Sequence, residues 1–271
     1  MTVFDCHCHL WSRPAPQRAY PWTPDPHLLG DLLEVFDEHG VDGGIQVTPL
    51  MAGFDNGYGV RSAQASGDRI AVFGRFDPLA PEVARRLTDW MATPGAAGVR
   101  LTFFGDDQQP LEESHVALEG FWAAAAAQAV PVAVFAPRAL PALLGVLERH
   151  QQLRLIVDHL GLGVYEGCPD PLGGFALLER FADHPQVLVK VSGAVECSAV
   201  GFPFADVHEL LLRARDWFGA DRMLWGSNYP VVTRWASYRE SLEYLRYVDG
   251  LTAEEHDAIV GRATLAVLGR G

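Results

Sequence analysis

Two histidines one residue apart, His7 and His9, stand in the stretch Phe4-Asp5-Cys6-His7-Cys8-His9-Leu10-Trp11. Alternate side chains of an extended strand share a face, so the two imidazoles point the same way, roughly 6–7 Å apart, with Cys6 and Cys8 on the other face. Such a pair grips a metal ion, orients a water or clamps a polar group of a ligand. A lone His-x-His is as readily two hydrogen-bonded core histidines, so the decision rests on what the chain brings to the same place. Further polar residues each follow or end a short apolar run: Arg75 with Asp77, Arg100, Asp158-His159, Lys190, Ser192, Glu196, and Ser227-Asn228-Tyr229. Arg75 reads first as a partner for Asp77, and Arg100 as the better anion binder, because a guanidinium takes a carboxylate bidentately or polarises a carbonyl. Trp11, Trp22, Tyr58, Tyr165, Tyr229 and Trp235 fall in stretches that read as loops, and together they suit a cyclic, partly apolar substrate. The other histidines, at 27, 39, 115, 150, 184, 208 and 256, lack partner spacing and read as structural.

The elements that must position these groups repeat along the chain. With Val3–His9, the apolar runs Gly44–Thr48, Ile70–Phe76, Gly98–Phe103, Val130–Phe135, Leu153–Val157, Val187–Val191 and Met223–Trp225 make eight predicted strands. Between them lie helical stretches at Asp31–Gly40, Pro81–Met91, Leu118–Ala129, Pro141–His150, Phe175–His184, Ala205–Phe218 and Tyr238–Val248, and Ala253–Leu268 ends the chain. Strands alternating with helices imply parallel pairing through right-handed crossovers. Eight such units over 271 residues favour a closed (β/α)8 TIM barrel, a single domain over residues 1–271, rather than an open sheet. No Gly-x-Gly-x-x-Gly turn follows the first strand, which argues against a dinucleotide fold. The Pro-rich stretch from Trp11 to Leu29 reads as a long loop over the strand ends. In a barrel the C-terminal strand ends converge on one mouth, which turns His7, His9 and His159 into one functional cluster. Three neutral imidazoles there could take Zn²⁺ with a fourth position open.

Composition narrows the partners. Hydrophobic residues make up 49% and charged residues 20%, which is globular, and a net charge of −13 disfavours nucleic acid and anionic membrane. No apolar stretch reaches the ~18 residues of a spanning helix and no leader is evident, so a cytoplasmic protein is expected. Cys6, Cys8, Cys168 and Cys197 read as free thiols.

The motifs DCHCHLW at the start, VDHLG around His159, KVSG at Lys190–Gly193, RMLWGSNYP at Arg222–Pro230 and Tyr20-Pro21-Trp22 resemble, in order and across the chain, the amidohydrolase superfamily. They are closest to the amidohydrolase-related group containing lactonases of sugar acids and 2-pyrone-4,6-dicarboxylate. The resemblance implies a hydrolase opening a lactone or similar cyclic ester of a small organic acid. It makes His7, His9, His159 and Asn228 the catalytic group, and Arg100, Arg75, Trp11, Tyr58, Tyr165 and Tyr229 the substrate-binding set. The partner is then a small, cyclic, anionic molecule, and a homodimer is an assembly left open by the sequence. Two positions depart from the pattern. Phe135 stands where metal-dependent members have a histidine or modified lysine, so no cofactor is expected to be required, with Zn²⁺ or another divalent ion on His7, His9 and His159 as the alternative. Asn228 stands where the family has an aspartate, and an amide takes no proton from water at neutral pH. The base is therefore expected to be His159, with a rate rising near pH ~6.5, and Asn228→Asp is expected to keep or raise activity. A non-oxidative decarboxylase, lyase or cyclase acting on a β-keto or aromatic acid is the second reading. A degenerate barrel that binds a small molecule without turnover is the third.

Overall fold

Each apolar run forms a strand, and the strands pair in chain order: β1 (Phe4–Cys8), β2 (Gly43–Val47), β3 (Ile70–Arg75), β4 (Ala96–Thr102), β5 (Val132–Phe135), β6 (Leu155–Val157), β7 (Val187–Val191) and β8 (Met223–Trp225). All seven consecutive pairings are parallel. The computed structural model describes residues 1–13, 25–103, 117–164, 168 and 170–270. Most of the Pro-rich loop, including Trp22, lies outside the described residues, as do His115 and Tyr165.

The sheet closes into the expected (β/α)8 barrel one step beyond β8. The amide of Asn228 donates to the His7 carbonyl at 2.8 Å, and the amide of His9 donates to the Tyr229 carbonyl at 2.8 Å. Below these bonds the seam is filled by Asp5. Its carboxylate accepts from the amides of His7 (2.9 Å) and Ser227 (3.0 Å), from the Ser227 hydroxyl, and from the Tyr238 hydroxyl at 3.1 Å.

Two layers of apolar packing follow from strand alternation. Ile45, Val47, Phe73, Ala133, Ile156 and Leu224 fill the barrel, while Val72, Val99, Val132, Val134, Val157, Val189 and Trp225 pack outward against the helices. On β1 the simple alternation expected from the sequence is broken. Between Asp5 and Cys8 this strand carries one residue more than β2, a bulge that places Cys6 in the interior cluster and Cys8 in the outer one. The two cysteines therefore do not share a face.

The helices are α1 (Leu29–His39), α2 (Gly57–Ala65), α3 (Val83–Met91), α4 (Glu119–Ala127), α5 (Leu140–Arg149), α6 (Gly173–Leu177), α7 (His208–Phe218) and α8 (Tyr238–Glu243). The expected terminal helix forms in three pieces: α9 (Ala253–Asp257), a π turn over Ala258–Arg262, and α10 (Ala263–Val267). The π turn carries Gly261, where a Cβ would stand 1.9 Å from the Thr2 carbonyl oxygen, so the helix widens where the N-terminus presses on it. Ala263 and Val267 of α10 then plug the barrel from below.

Candidate active site

The described strand ends bring His7, His9, His159, Lys190, Asp158, Arg100 and Asn228 together, all buried. Two of these sit on backbone that L-residues seldom adopt: φ is 54° at His159 and 58° at Asn228, with Leu160 at 52°. Each costs roughly 1–3 kcal/mol and persists only where surrounding contacts impose it, a pattern that concentrates at functional sites.

Hydrogen bonds fix the proton positions. His9 Nδ1 donates to the Val47 carbonyl at 2.8 Å, which leaves its Nε2 as an acceptor. Lys190 Nζ lies 3.2 Å from His7 Nδ1 and 3.0 Å from Asp158 Oδ1, so the ammonium donates to both. His7 Nδ1 is then the acceptor and Nε2 carries the proton, aimed at His9 Nε2 at 3.3 Å. His159 Nδ1 pairs with the Ser192 hydroxyl at 2.8 Å, and the Phe135 ring meets the imidazole edge-on at 5.3 Å. Arg100 pairs through Nε with Asp158 Oδ2 at 3.0 Å and lies over Phe135.

Burial sets the charges. It pushes His7 well below the ordinary histidine range, His9 down to about 4 and His159 down to about 3, with Arg100 and Lys190 adding to each shift. Burial alone would raise Asp158, but Lys190 and Arg100 hold it below the usual carboxylate range. Among the described residues the cluster therefore holds three neutral imidazoles and two cationic side chains, Arg100 and Lys190, both on the ionised Asp158. Arg75, at the end of β3, donates from Nη1 to Thr102 Oγ1 at 3.2 Å.

Asn228 joins the cluster to a carboxylate. Its Oδ1 lies 3.2 Å from His9 Nε2, and its Nδ2 donates to Glu196 Oε1 at 2.7 Å. Glu196 sits in a 3-10 turn, Val195–Cys197, just after β7. Burial pushes its pKa up to about 7 against the Asn228 bond, and its Oε2 is buried without a hydrogen-bond partner among the described residues.

The aromatic candidates divide. Trp11 is buried, with its indole N–H on the Asp25 carbonyl at 2.7 Å, and Tyr58 lies in the first turn of α2 rather than in a loop. Both line a cavity of about 340 Å³ beside the mouth, which reaches inward to Gln46 and Thr48. Tyr229 meets His27 at 4.7 Å and Tyr238 at 5.4 Å, packing over the closure seam. Trp235 is exposed under Arg234 and stands apart from this group. Asp158, Lys190 and Glu196 stand at predicted strand ends, where the sequence alone assigns them no role. The signal for Lys190 was its parity with Leu188 on an otherwise apolar β7, which aims it into the barrel.

The donor atoms of His7, Asp158 and His159 lie within 4.8 Å of one another, near enough for one divalent ion. The set does not fit one as arranged. Asp158 is already shared by two cations, and the Lys190 ammonium occupies the His7 Nδ1 lone pair and so keeps the Nε2 proton in place.

Known proteins resemble this chain in sequence and in fold. An L-fucono-1,5-lactonase of Burkholderia multivorans is 28% identical over 277 residues, covering 95% of this chain and 92% of that one. A 4-sulfomuconolactone hydrolase of Rhizobium radiobacter is 27% identical over 237 residues, covering 84% of this chain and 75% of that one. A crystal structure of an amidohydrolase from Burkholderia multivorans with bound zinc superposes with a TM-score of 0.84 at 25% identity, covering 99% of each chain. The amidohydrolase family model matches residues 4–270, and the chain belongs to that family.

Proposed function

We propose that the protein is a hydrolase that opens the lactone ring of a small organic acid, with no resident metal. The carrying observation is the pair of buried cations, Arg100 and Lys190, both on Asp158 beside three neutral imidazoles. Such a site stabilises an anionic substrate and the oxyanion formed when water adds to its carbonyl. Relatives named as a fucono-lactonase and a sulfomuconolactone hydrolase support the same reaction. On this reading Arg100 and Arg75 bind the substrate's carboxylate, and Trp11, Tyr58 and Tyr229 wall its ring. Tyr165 joins that wall on sequence grounds alone. The Nε2 proton of His7, set by Lys190, and the His159 ring serve the carbonyl oxygen, while His9 and Asn228 orient the water.

The test is a panel of sugar-acid 1,5-lactones, muconolactones, pyrone carboxylates and aromatic acids, offered to native protein with and without chelator. Ring opening that survives the chelator is expected. Decarboxylation of an aromatic acid without ring opening, or binding without turnover, would sink the reading.

A further inference from the structure

The sequence resemblance implies an aspartate at position 228; this chain has Asn228 there, and a carboxylate, Glu196, stands one side chain further out. We propose that Glu196 is the general base of this site, taking the proton from the attacking water, with Asn228 as its positioning residue. The proposal rests on the lactone-opening reading and supplies the base that reading lacks.

Three observations carry it. Glu196 Oε1 is pinned by the Asn228 amide at 2.7 Å, and that amide also lies 3.2 Å from His9, so the carboxylate is tied into the histidine cluster. Its other oxygen, Oε2, is buried without a protein partner among the described residues, and a buried carboxylate oxygen left open is a place for water to donate. The third is a mismatch. With Glu196 ionised, Asn228 Nδ2 must face the carboxylate, which leaves Asn228 Oδ1 against His9 Nε2, itself an acceptor because Nδ1 is committed to Val47. Turning the amide over relieves this once Glu196 holds a proton and rotates its carboxyl to present it: the O–H donates to Oδ1, and Nδ2 donates to the His9 Nε2 lone pair that is vacated when the His7 proton turns to the substrate carbonyl. An asparagine thus serves both protonation states of its neighbour, which an aspartate could not.

The step balances. Glu196 Oε2 takes a proton as the water oxygen bonds to the carbonyl carbon and the C=O pair moves onto oxygen. When the C=O re-forms, the ring C–O bond breaks, and the proton passes from Glu196 to the departing alkoxide. The product is an open hydroxy acid and the carboxylate is restored. The groups facing Glu196 agree with this role. His9 beyond Asn228 is neutral, and the adjacent Cys197 thiol is pushed up to about 12 by burial, so neither adds charge at neutral pH. Burial raises Glu196 to about 7 against the lowering Asn228 bond, where a carboxylate can take a proton from water and return it near neutral pH.

The experiment compares native enzyme with Glu196→Gln and Glu196→Asp, on the best lactone of the panel. Glu196→Gln keeps the acceptor for Asn228 and is expected to lower kcat on the order of 10²–10⁴-fold, with KM changed far less. Glu196→Asp should recover part of that loss, and the native rate should rise with pH to a plateau above about 7. Native-minus-variant infrared spectra provide a readout without turnover: a carboxyl band titrating near neutral pH that Glu196→Gln removes. Full activity in Glu196→Gln, or the absence of that band, overturns the proposal. A native protein inert on every lactone that still shows the band sinks the lactone reading while leaving the poised carboxyl in place.

Discussion

An aspartate at position 228 would stand 2.7 Å from Glu196, where an amide now donates. Two carboxylates at that distance cannot both ionise, so they would share one proton and the pair would resist acting as a base near neutrality. Asn228→Asp is therefore expected to lower activity on the order of tenfold or more at pH ~7, with the rate profile displaced to higher pH. Unchanged or higher activity would restore the expectation drawn from sequence and count against Glu196. That expectation gives Glu196 no role, because nothing in the spacing of Glu196 and Asn228 shows that the turn after β7 and the segment after β8 bring them into contact. The histidines, by contrast, were legible from strand-end position alone. Their acidity was not, since burial and the two cations appear only once the barrel is closed. Lys190 offers a second test at this scale. Lys190→Met frees the His7 Nδ1 lone pair and one oxygen of Asp158. Native protein should carry substoichiometric zinc after dialysis and the variant more, by elemental analysis. Near-stoichiometric, chelator-resistant zinc in the native chain would show that the ammonium does not keep the ion out.

At the scale of elements, the seam between β1 and β8 is closed by the Asp5 carboxylate as well as by backbone pairing. β8 is three residues long and pairs with β7, so its link to β1 passes through the His7 and Tyr229 carbonyls and the Asp5 carboxylate. Asp5→Ala would strand two amides and two hydroxyls in the seam. A loss of about 2–4 kcal/mol is expected, read as a lower denaturation midpoint. Asp5→Asn should cost less, because its oxygen can still take both amides while Ser227 and Tyr238 turn their hydroxyls. Equal stability of Asp5→Ala and native protein would show that the seam is closed by the backbone alone. The sequence located β7 and β8 to the residue, since apolar runs bounded by turns leave little freedom. It overlooked the β1 bulge, because one extra residue against β2 has no local signature, and the π turn, because Gly261 answers to Thr2 far away in the chain.

Across the whole molecule the buried ionisable groups pull stability in opposite directions with pH. His7, His9 and His159 titrate lower in the fold than unfolded, so between about pH 6.5 and 4 the unfolded chain binds protons that the fold refuses, and stability falls as pH falls. Asp5, raised to about 6, and Glu196, raised to about 7, act the other way: the fold binds their protons first, and stability rises as pH falls towards their unfolded values. Near pH ~5.5 the three histidines outweigh the two carboxyls by roughly one proton, a slope of about 1.4 kcal/mol per pH unit. His27 and His256, also lowered by burial, add to the histidine side. The melting temperature should accordingly be nearly flat around neutrality and fall steadily below pH ~6. Glu196→Gln removes one opposing carboxyl, so it should steepen the acid-side fall by up to one proton, and Asp5→Asn should do so over a lower pH range. Melting curves of the three proteins at a series of pH values measure this directly. Parallel curves for native and Glu196→Gln would mean that Glu196 titrates alike in the folded and unfolded chain, and the carboxyl would not be the neutral-pH proton acceptor that its burial beside Asn228 makes it.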